Sequence, residues 1–190
     1  MSKKLSEMSL EELWQLFPIM LTEHKSYWKD WYTEEVDMLK GILPAGQVVR
    51  ISHIGSTAVA GIWAKPIIDI LVEVTEDSEF QTLKDCLMAA GYLCMSESLH
   101  RLSFNKGYTE NGFAERVFHL HLRRFGDNDE LYFCDYLNAY PDTAQIYEKL
   151  KLELWKQYEH DRDGYTEAKT EFIKGFTGRA KEEFSDRYEK

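Results

Sequence analysis

Residues 67–74, IIDILVEV, constrain the fold of this chain more than any other segment. Their aliphatic side chains run almost without interruption, which is typical of a strand that lies in the centre of a sheet and is buried on both faces. Asp69 stands in this strand between two isoleucines, where an unpaired carboxylate would be costly. The segment therefore predicts a central strand carrying an acid that needs a cation, a metal or a hydrogen-bond donor.

Periodicity divides the rest of the chain into strands and helices. Further strands are predicted at 47–54, 92–95, 101–104 and 116–123. Helices are predicted from a capping box at Ser9 to a point before Pro18, and at 26–43, 80–90, 131–140, 143–158 and 165–190, separated by Pro141 and a polar turn at 161–164. This order predicts an α+β fold in a single domain, 1–190, with a core of about residues 1–125 and a helical C-terminal region of about residues 126–190.

The charge of the chain excludes one class of partner. With 23 Lys and Arg against 33 Asp and Glu, the formal net charge is −10 at pH 7, whereas a protein that follows the phosphates of long nucleic acid needs a basic surface. We therefore expect no extended nucleic acid as a partner. We also expect a cytoplasmic protein without a membrane partner, because no apolar run approaches the roughly 20 residues of a bilayer span and the three cysteines are spaced as buried thiols.

Ligand-binding side chains are concentrated in the turn between the first two strands. The first strand ends at Gly55 and Ser56, and small residues lead from there to Lys65. Glycine permits a close backbone approach, the hydroxyls of Ser56 and Thr57 suit an anion, and a lysine neutralises phosphate. Two alternatives remain open: the Gly-Ser pair is a structural turn, and Asp69 is a buried acid paired with a basic residue.

The segments 53–59 (HIGSTAV) and 64–70 (AKPIIDI) together resemble the GrpB family and, more broadly, the nucleotidyltransferase superfamily related to DNA polymerase beta. The resemblance extends over about residues 17–180. The later motifs are FHLH at 118–121, FCDYL at 133–137 before Pro141, Tyr147 with Lys151, and Tyr165-Thr166 with Lys169.

The resemblance implies a nucleotidyltransferase-like fold, a mixed β-sheet core with flanking helices. It also implies that the Gly55–Ser56 turn holds nucleotide phosphates and that Asp69 is catalytic and holds a divalent metal, Mg, Mn or Zn, with a nucleoside triphosphate as substrate. The superfamily pattern has a second acid two residues later, and this chain has Leu71 there. Glu73 shares the face of Asp69 but lies about 13 Å along the strand, too far to share a metal. Ala60 stands where proline is usual, and Cys134 and Asn138 stand where arginines are expected.

Two histidines are candidates to complete the metal site. His119 and His121 alternate on one predicted strand, so both face the same side and could bind a metal together with Asp69. Arg123 on that face would add charge for a phosphate. His53, beside the turn, contacts the ligand or fixes the turn. The alternative is that His119 and His121 are polar residues that face solvent or the helical region.

Five residues on the C-terminal helices are further candidates for the pocket. The pairs Tyr147 with Lys151 and Tyr165 with Lys169 are spaced i, i+4 and share a helix face. The lysines would reach a triphosphate, and Asp135 would join the pocket. The alternative is a solvated face with structural tyrosines.

The leading interpretation is a metal-dependent nucleotidyltransferase that moves a nucleoside monophosphate from a nucleoside triphosphate to a small-molecule or protein acceptor. A second interpretation is a nucleotide- or metal-binding module that has lost transfer, since Leu71 replaces the second acid. A third is a dimerising interaction protein, a homodimer whose contact surface is the aromatic helix at 26–43.

Overall fold

The structure is a computed structural model and describes residues 3–185 and 187–189. Seven helices and five strands carry the fold of the described residues. The helices are α1 (Leu10–Leu16), α2 (Trp28–Ile42), α3 (Phe80–Ala89), α4 (Asp129–Ala139), α5 (Pro141–Tyr158), α6 (Arg162–Glu167) and α7 (Thr170–Glu183). The strands are β1 (Val48–Ile54), β2 (Ile68–Val74), β3 (Leu93–Glu97), β4 (Arg101–Thr109) and β5 (Gly112–Arg124).

The strands form one mixed sheet in the order β1-β2-β5-β4-β3. β2 pairs parallel to β5, and the other three pairings are antiparallel. β2 lies inside the sheet and six of its seven residues are buried. The mixed sheet with its helices confirms the predicted α+β class, and the buried β2 confirms the predicted central strand.

The two faces of β2 have different surroundings. Ile68, Ile70 and Val72 point to one side, where they pack with side chains of α2 and α3 in the largest core cluster. Asp69, Leu71 and Glu73 alternate to the other side. On that side Leu71 is fully buried against Leu131 of α4. The side chain of Asp69 keeps 27% of its surface exposed, so the sheet opens to a cavity at this position.

The structure corrects several predicted boundaries. β4 and β5 form a hairpin much longer than the predicted 101–104 and 116–123. The polar turn predicted at 161–164 is wrong, because Asp161 caps the N-terminus of helix α6 by accepting a hydrogen bond from the Gly164 N–H. The helix predicted at 165–190 is wrong as one element, because α6 and α7 are separate and α7 ends at Glu183; its positions 186 and 190 lie outside the described residues.

The structure also bears on the predicted burial of the cysteines and on the length of the apolar helices. Cys134 is buried as expected, but Cys86 and Cys94 are partly exposed, so the prediction of buried thiols is wrong for these two. Within residues 3–185 and 187–189, no helix has the length and the apolar composition that crossing a bilayer requires.

The aromatic helix α2 packs onto its own sheet. Trp28 is fully buried, and Tyr32 stacks on His53 of β1 with ring centroids 4.6 Å apart. Trp31 is partly buried against the same core. The aromatic side chains therefore serve the core of this chain, and the homodimer stays a prediction.

Candidate functional site

The Gly55–Ser56 turn is shaped by a close approach between β1 and β2. Gly55 has a φ of +72°, and a Cβ atom at this position would collide with the carboxylate of Asp69. Only glycine adopts this backbone conformation at little cost while leaving room for the acid. The turn therefore brings backbone amides and the Ser56 hydroxyl next to a carboxylate.

Hydrogen bonds of Thr57 and His53 fix the conformation of the turn. The Thr57 hydroxyl donates to the Ile67 carbonyl at 3.1 Å, so its oxygen accepts from Nε2 of His53 at 3.0 Å. Burial lowers the pKa of His53 to about 4, which keeps its ring neutral. Of the two roles predicted for His53, the structure supports fixing the turn.

The loop after the turn is fastened to the helical region. Lys151 of α5 donates to the Trp63 carbonyl, and Glu148 of the same helix accepts from the Trp63 N–H at 2.6 Å. Asn138 of α4 donates to the Ala58 carbonyl at 3.2 Å and accepts from the Ala60 N–H at 3.4 Å. Two helices thus determine the course of the segment that carries the pocket.

Asp69 faces two histidines across the parallel pairing of β2 with β5. Its Oδ1 lies 3.3 Å from Nδ1 of His119 and 3.8 Å from Nε2 of His121. Burial alone would raise the pKa of this carboxyl, but the two imidazoles beside it outweigh the burial and hold the pKa well below its usual range. Asp69 is therefore an anion with one oxygen turned to β5.

The outer nitrogens of both imidazoles have partners as well. Nε2 of His119 lies 2.8 Å from the Tyr108 hydroxyl, which accepts from Nη2 of Arg162 at 3.0 Å. Nδ1 of His121 lies 3.3 Å from Nη2 of Arg123. Burial lowers the pKa of His119, so its ring is neutral beside the acid.

Three lysines converge near the turn and make the site cationic. Nζ of Lys169 and Nζ of Lys65 lie 4.1 and 5.1 Å from the ring centroid of Tyr165, and Nζ of Lys151 lies 5.0 Å from the Tyr147 ring. Burial and mutual repulsion lower the pKa of Lys65 and of Lys151 to about 7. Burial lowers the pKa of Lys169 to about 8 against the attraction of Asp69. Asp69 attracts Lys65 and Lys169, and Glu148 attracts Lys151, but burial outweighs these attractions.

Two connected chambers open around Asp69. The first measures about 180 Å³ and contains the turn, Asp69, His119 and all three lysines. The second measures about 630 Å³ and has mainly apolar walls from α4, α7 and the loop after the turn, including Val59, Phe133, Leu137 and Ile173. Gly55, Ser56, Asp69 and Tyr147 line both chambers. The acid therefore lies where the cationic and the apolar chamber meet.

The donor set does not fit a pair of metal ions held by carboxylates. Leu71 is a buried apolar residue at the position of the second acid, and Glu73 is bound to Arg50, to the Gly126 N–H and to Asn128. Across residues 3–185 and 187–189, no group of three or more His, Cys, Asp or Glu side chains is arranged to hold a metal ion. A metal shared by Asp69, His119 and His121 stays a prediction, and the observed role of both imidazoles is hydrogen bonding.

Most predicted site residues meet at this cavity, and three do not: His53, which fixes the turn, Arg123 and Asp135. Gly55, Ser56, Thr57, Lys65, Asp69, His119, Tyr147, Lys151, Tyr165 and Lys169 line the cationic chamber, and His121 lines the apolar one. Arg123 lines neither chamber because its guanidinium donates to the carbonyls of Leu102 and Leu122. Asp135 also lies outside, paired with Arg187 and Tyr188. The structure thus places Arg123 and Asp135 away from the predicted phosphate and pocket positions.

Tyr108 and Arg162 are site residues that the sequence analysis missed. In a regular strand Tyr108 would face away from Asn105, which pairs with His119. The register shifts between Lys106 and Tyr108, and this irregularity lets the tyrosine hydroxyl reach His119. The sequence places Arg162 in a polar turn, although Asp161 ahead of it is a signal for the start of a helix.

Comparison with known proteins identifies the family and supports the fold. The profile of the family described as GrpB protein matches residues 18–179. The chain is similar to the glutamate-rich protein GrpB of Alkalihalophilus pseudofirmus, with 34% identity over 160 residues, 82% of this chain and 91% of that protein. It is also similar to the crystal structure of the conserved protein GrpB from Enterococcus faecalis, with a TM-score of 0.75 and 32% identity over 87% of this chain and 99% of the other.

A more distant likeness concerns the fold alone. A mutant of the Cid1 poly(U) polymerase bound to MgATP matches with a TM-score of 0.50 and 14% identity over 78% of this chain and 47% of that chain. This likeness shows the nucleotidyltransferase fold that the resemblance of the sequence implies.

Proposed function

This chain belongs to the GrpB family, and we propose that it binds a nucleoside triphosphate and transfers the nucleoside monophosphate to an acceptor hydroxyl. The observation that carries the proposal is the cationic chamber, in which Lys65, Lys151 and Lys169 surround the Gly55–Ser56 turn. Burial is the main cause of the lowered pKa of these lysines, and repulsion from neighbouring cations adds to it for Lys65 and Lys151. A bound polyphosphate would stabilise their charged forms.

The sizes of the chambers support a ligand with two unlike ends. The first chamber, about 180 Å³, is small and cationic, which suits phosphates. The second, about 630 Å³, is of the size and apolar character of small-molecule sites and suits the nucleoside. The ligand would bend where the chambers meet, which brings the α-phosphate to Asp69.

The proposed step is an in-line displacement at the α-phosphorus. The acceptor oxygen forms the new bond to phosphorus, and the bond from phosphorus to the bridging oxygen of the β-phosphate breaks. The bridging oxygen keeps the electron pair, and pyrophosphate leaves beside the lysines. The acceptor hydroxyl is oriented by the Asp69 carboxylate and gives up its proton to solvent as the bond to phosphorus forms.

A second candidate function is a nucleotide-binding module without transfer. The observation that favours it is the buried Leu71 at the position of the second acid. Both candidates require nucleotide in the cationic chamber, and they differ in whether pyrophosphate is released.

Thermal unfolding with ATP, GTP, CTP and UTP tests binding. Runs with Mg²⁺, Mn²⁺ or Zn²⁺ and with EDTA decide whether a divalent ion takes part. At about 100 times the dissociation constant, a ligand stabilises the folded state by about 2.7 kcal/mol. We expect a rise in the midpoint for the natural protein and little rise for Lys65→Gln or Lys169→Gln.

Lys149→Gln is the matched control, because Lys149 is an exposed lysine on α5. It should keep the full rise. The absence of a rise with every nucleotide and ion would overturn the proposal of nucleotide binding. Where binding is found, release of pyrophosphate that Asp69→Asn abolishes identifies the transferase, and binding without release identifies the module.

A further inference from the structure

The two imidazoles of the site present opposite ring edges to the same carboxylate oxygen. His119 directs Nδ1 to Oδ1 of Asp69, and His121 directs Nε2 to the same atom. A carboxylate only accepts hydrogen bonds, so each ring nitrogen that faces it is favoured as an N–H. Whether the proton stays on that nitrogen depends on the hydrogen-bond partner of the other ring nitrogen, which faces away from Asp69.

Tyr108 determines the state of the outer nitrogen of His119. An arginine cannot accept, so Arg162 donates to the Tyr108 oxygen at 3.0 Å. The phenolic proton of Tyr108 is then free to be donated to Nε2 of His119 at 2.8 Å. With Nε2 as acceptor, a neutral ring carries its proton on Nδ1, towards Asp69.

Arg123 imposes the opposite assignment on His121. Its Nη2 lies 3.3 Å from Nδ1 of His121 and donates to it. A neutral His121 therefore carries its proton on Nε2, which again faces Asp69. The two neighbouring histidines of β5 are thus held as different tautomers by two different donors.

We infer that Tyr108, held by Arg162, is a positioning residue that fixes His119 as the Nδ1–H tautomer. The Nδ1–H group of His119 then keeps Oδ1 of Asp69 directed towards β5. The other oxygen, Oδ2, lies against Gly55 of the Gly55–Ser56 turn, where an added Cβ atom would collide with it. In the opposite tautomer a lone pair of His119 would face the anion and turn the carboxylate. The catalytic part of this inference rests on the proposed function, whereas the tautomer assignment does not.

Nitrogen-15 NMR of the imidazole rings tests the assignment without a ligand, because the ring couplings distinguish the two tautomers. Signals are assigned with His119→Gln and His121→Gln. We expect the Nδ1–H form for His119 and the Nε2–H form for His121. In Tyr108→Phe the His119 signal should move to a mixture of the two forms, because only Asp69 then favours the Nδ1–H form, and His121 should keep its form.

We expect Tyr108→Phe to fold, because phenylalanine keeps the ring contacts of Tyr108 with Phe17 and Phe113. Tyr92→Phe is the matched control: it removes a hydroxyl that bonds Glu35, a residue of α2 outside the site, and should change neither histidine. An Nε2–H form of His119 in the natural protein, or an unchanged Nδ1–H form in Tyr108→Phe, would overturn the inference.

Measurements of nucleotide turnover then test whether the tautomer of His119 matters for the proposed transfer. Loss of such a positioning hydrogen bond typically lowers activity about tenfold or more, so Tyr108→Phe should lower kcat and leave KM for the nucleotide nearly unchanged. A kcat equal to that of the natural protein contradicts the positioning role. If the natural protein turns over no nucleotide, the proposed transfer fails while the NMR result still decides the tautomer.

Discussion

At the scale of single residues, the site depends on one close approach between Gly55 and Asp69. The glycine has a left-handed φ of +72° and no space for a side chain on the side of the acid. Asp69 in turn has one oxygen against this turn and one directed to the histidines of β5. The turn and the acid therefore keep each other in place, and a change at either one disturbs both.

Gly55→Ala should be more damaging than an alanine at another glycine of the same loop. Gly61 also has a positive φ, +77°, and nothing within 4 Å of an added Cβ, so Gly61→Ala carries a backbone strain of about 1–3 kcal/mol without a collision. Gly55→Ala adds a collision with Asp69, and such overpacking costs about 1–3 kcal/mol more. Urea unfolding of both variants measures the difference; equal midpoints would contradict the close approach.

The lysines make ligand binding dependent on pH. Their pKa values of about 7, 7 and 8 in the folded protein lie below the ordinary 10.5. The unfolded chain therefore binds more protons between these values and 10.5, so the stability of the ligand-free protein rises with pH in that window. An anion raises the lysine pKa values again, and binding takes up protons.

Calorimetry with tripolyphosphate measures this uptake. Near about pH 8 the free lysines are partly neutral, so binding should take up protons and weaken as the pH rises further. Titrations in buffers of different ionisation enthalpy give the number of protons. Lys169→Gln should reduce that number and Lys149→Gln should not, whereas binding without proton uptake would show that the lysines already carry full charge.

At the scale of elements, the loop between the turn and β2 takes its course from α4 and α5. Both backbone groups of Trp63 are bonded to side chains of α5. Ala60 and Asn138, two of the departures from the family pattern, meet in one hydrogen bond. A proline at position 60 would lack the N–H that this bond needs. The sequence alone identified both departures and gave no sign that they are partners.

Removing the α5 acceptor should loosen this loop. Glu148→Ala leaves the partly buried Trp63 N–H without its partner, which typically costs about 1–3 kcal/mol. Glu153→Ala is the matched control on an exposed position of the same helix and should stay within about 0.5 kcal/mol. Denaturant midpoints compare the two; an equal loss would mean that the Glu148 contact does not stabilise the loop.

At the scale of the whole molecule, the predictable features are those that repeat along the chain. The apolar run of β2 is almost continuous and the apolar positions of α2 and α3 recur every three to four residues, so the sequence predicts these elements well. Tyr108 reaches the site only through a register shift, which breaks the alternation of a strand. Arg123 lies on the strand face that the alternation predicts, but its guanidinium donates to backbone carbonyls. Strand alternation determines the face on which a residue lies and not its hydrogen-bond partner.

The parallel pairing of β2 with β5 also has a kinetic consequence. Asp69 meets His119 only after the chain has closed a long crossover that contains α3, β3 and β4. Contacts so distant along the chain are slow to form and generally form late in folding. A partly folded chain therefore has no complete site, so a bound nucleotide should slow unfolding and leave the folding rate nearly unchanged.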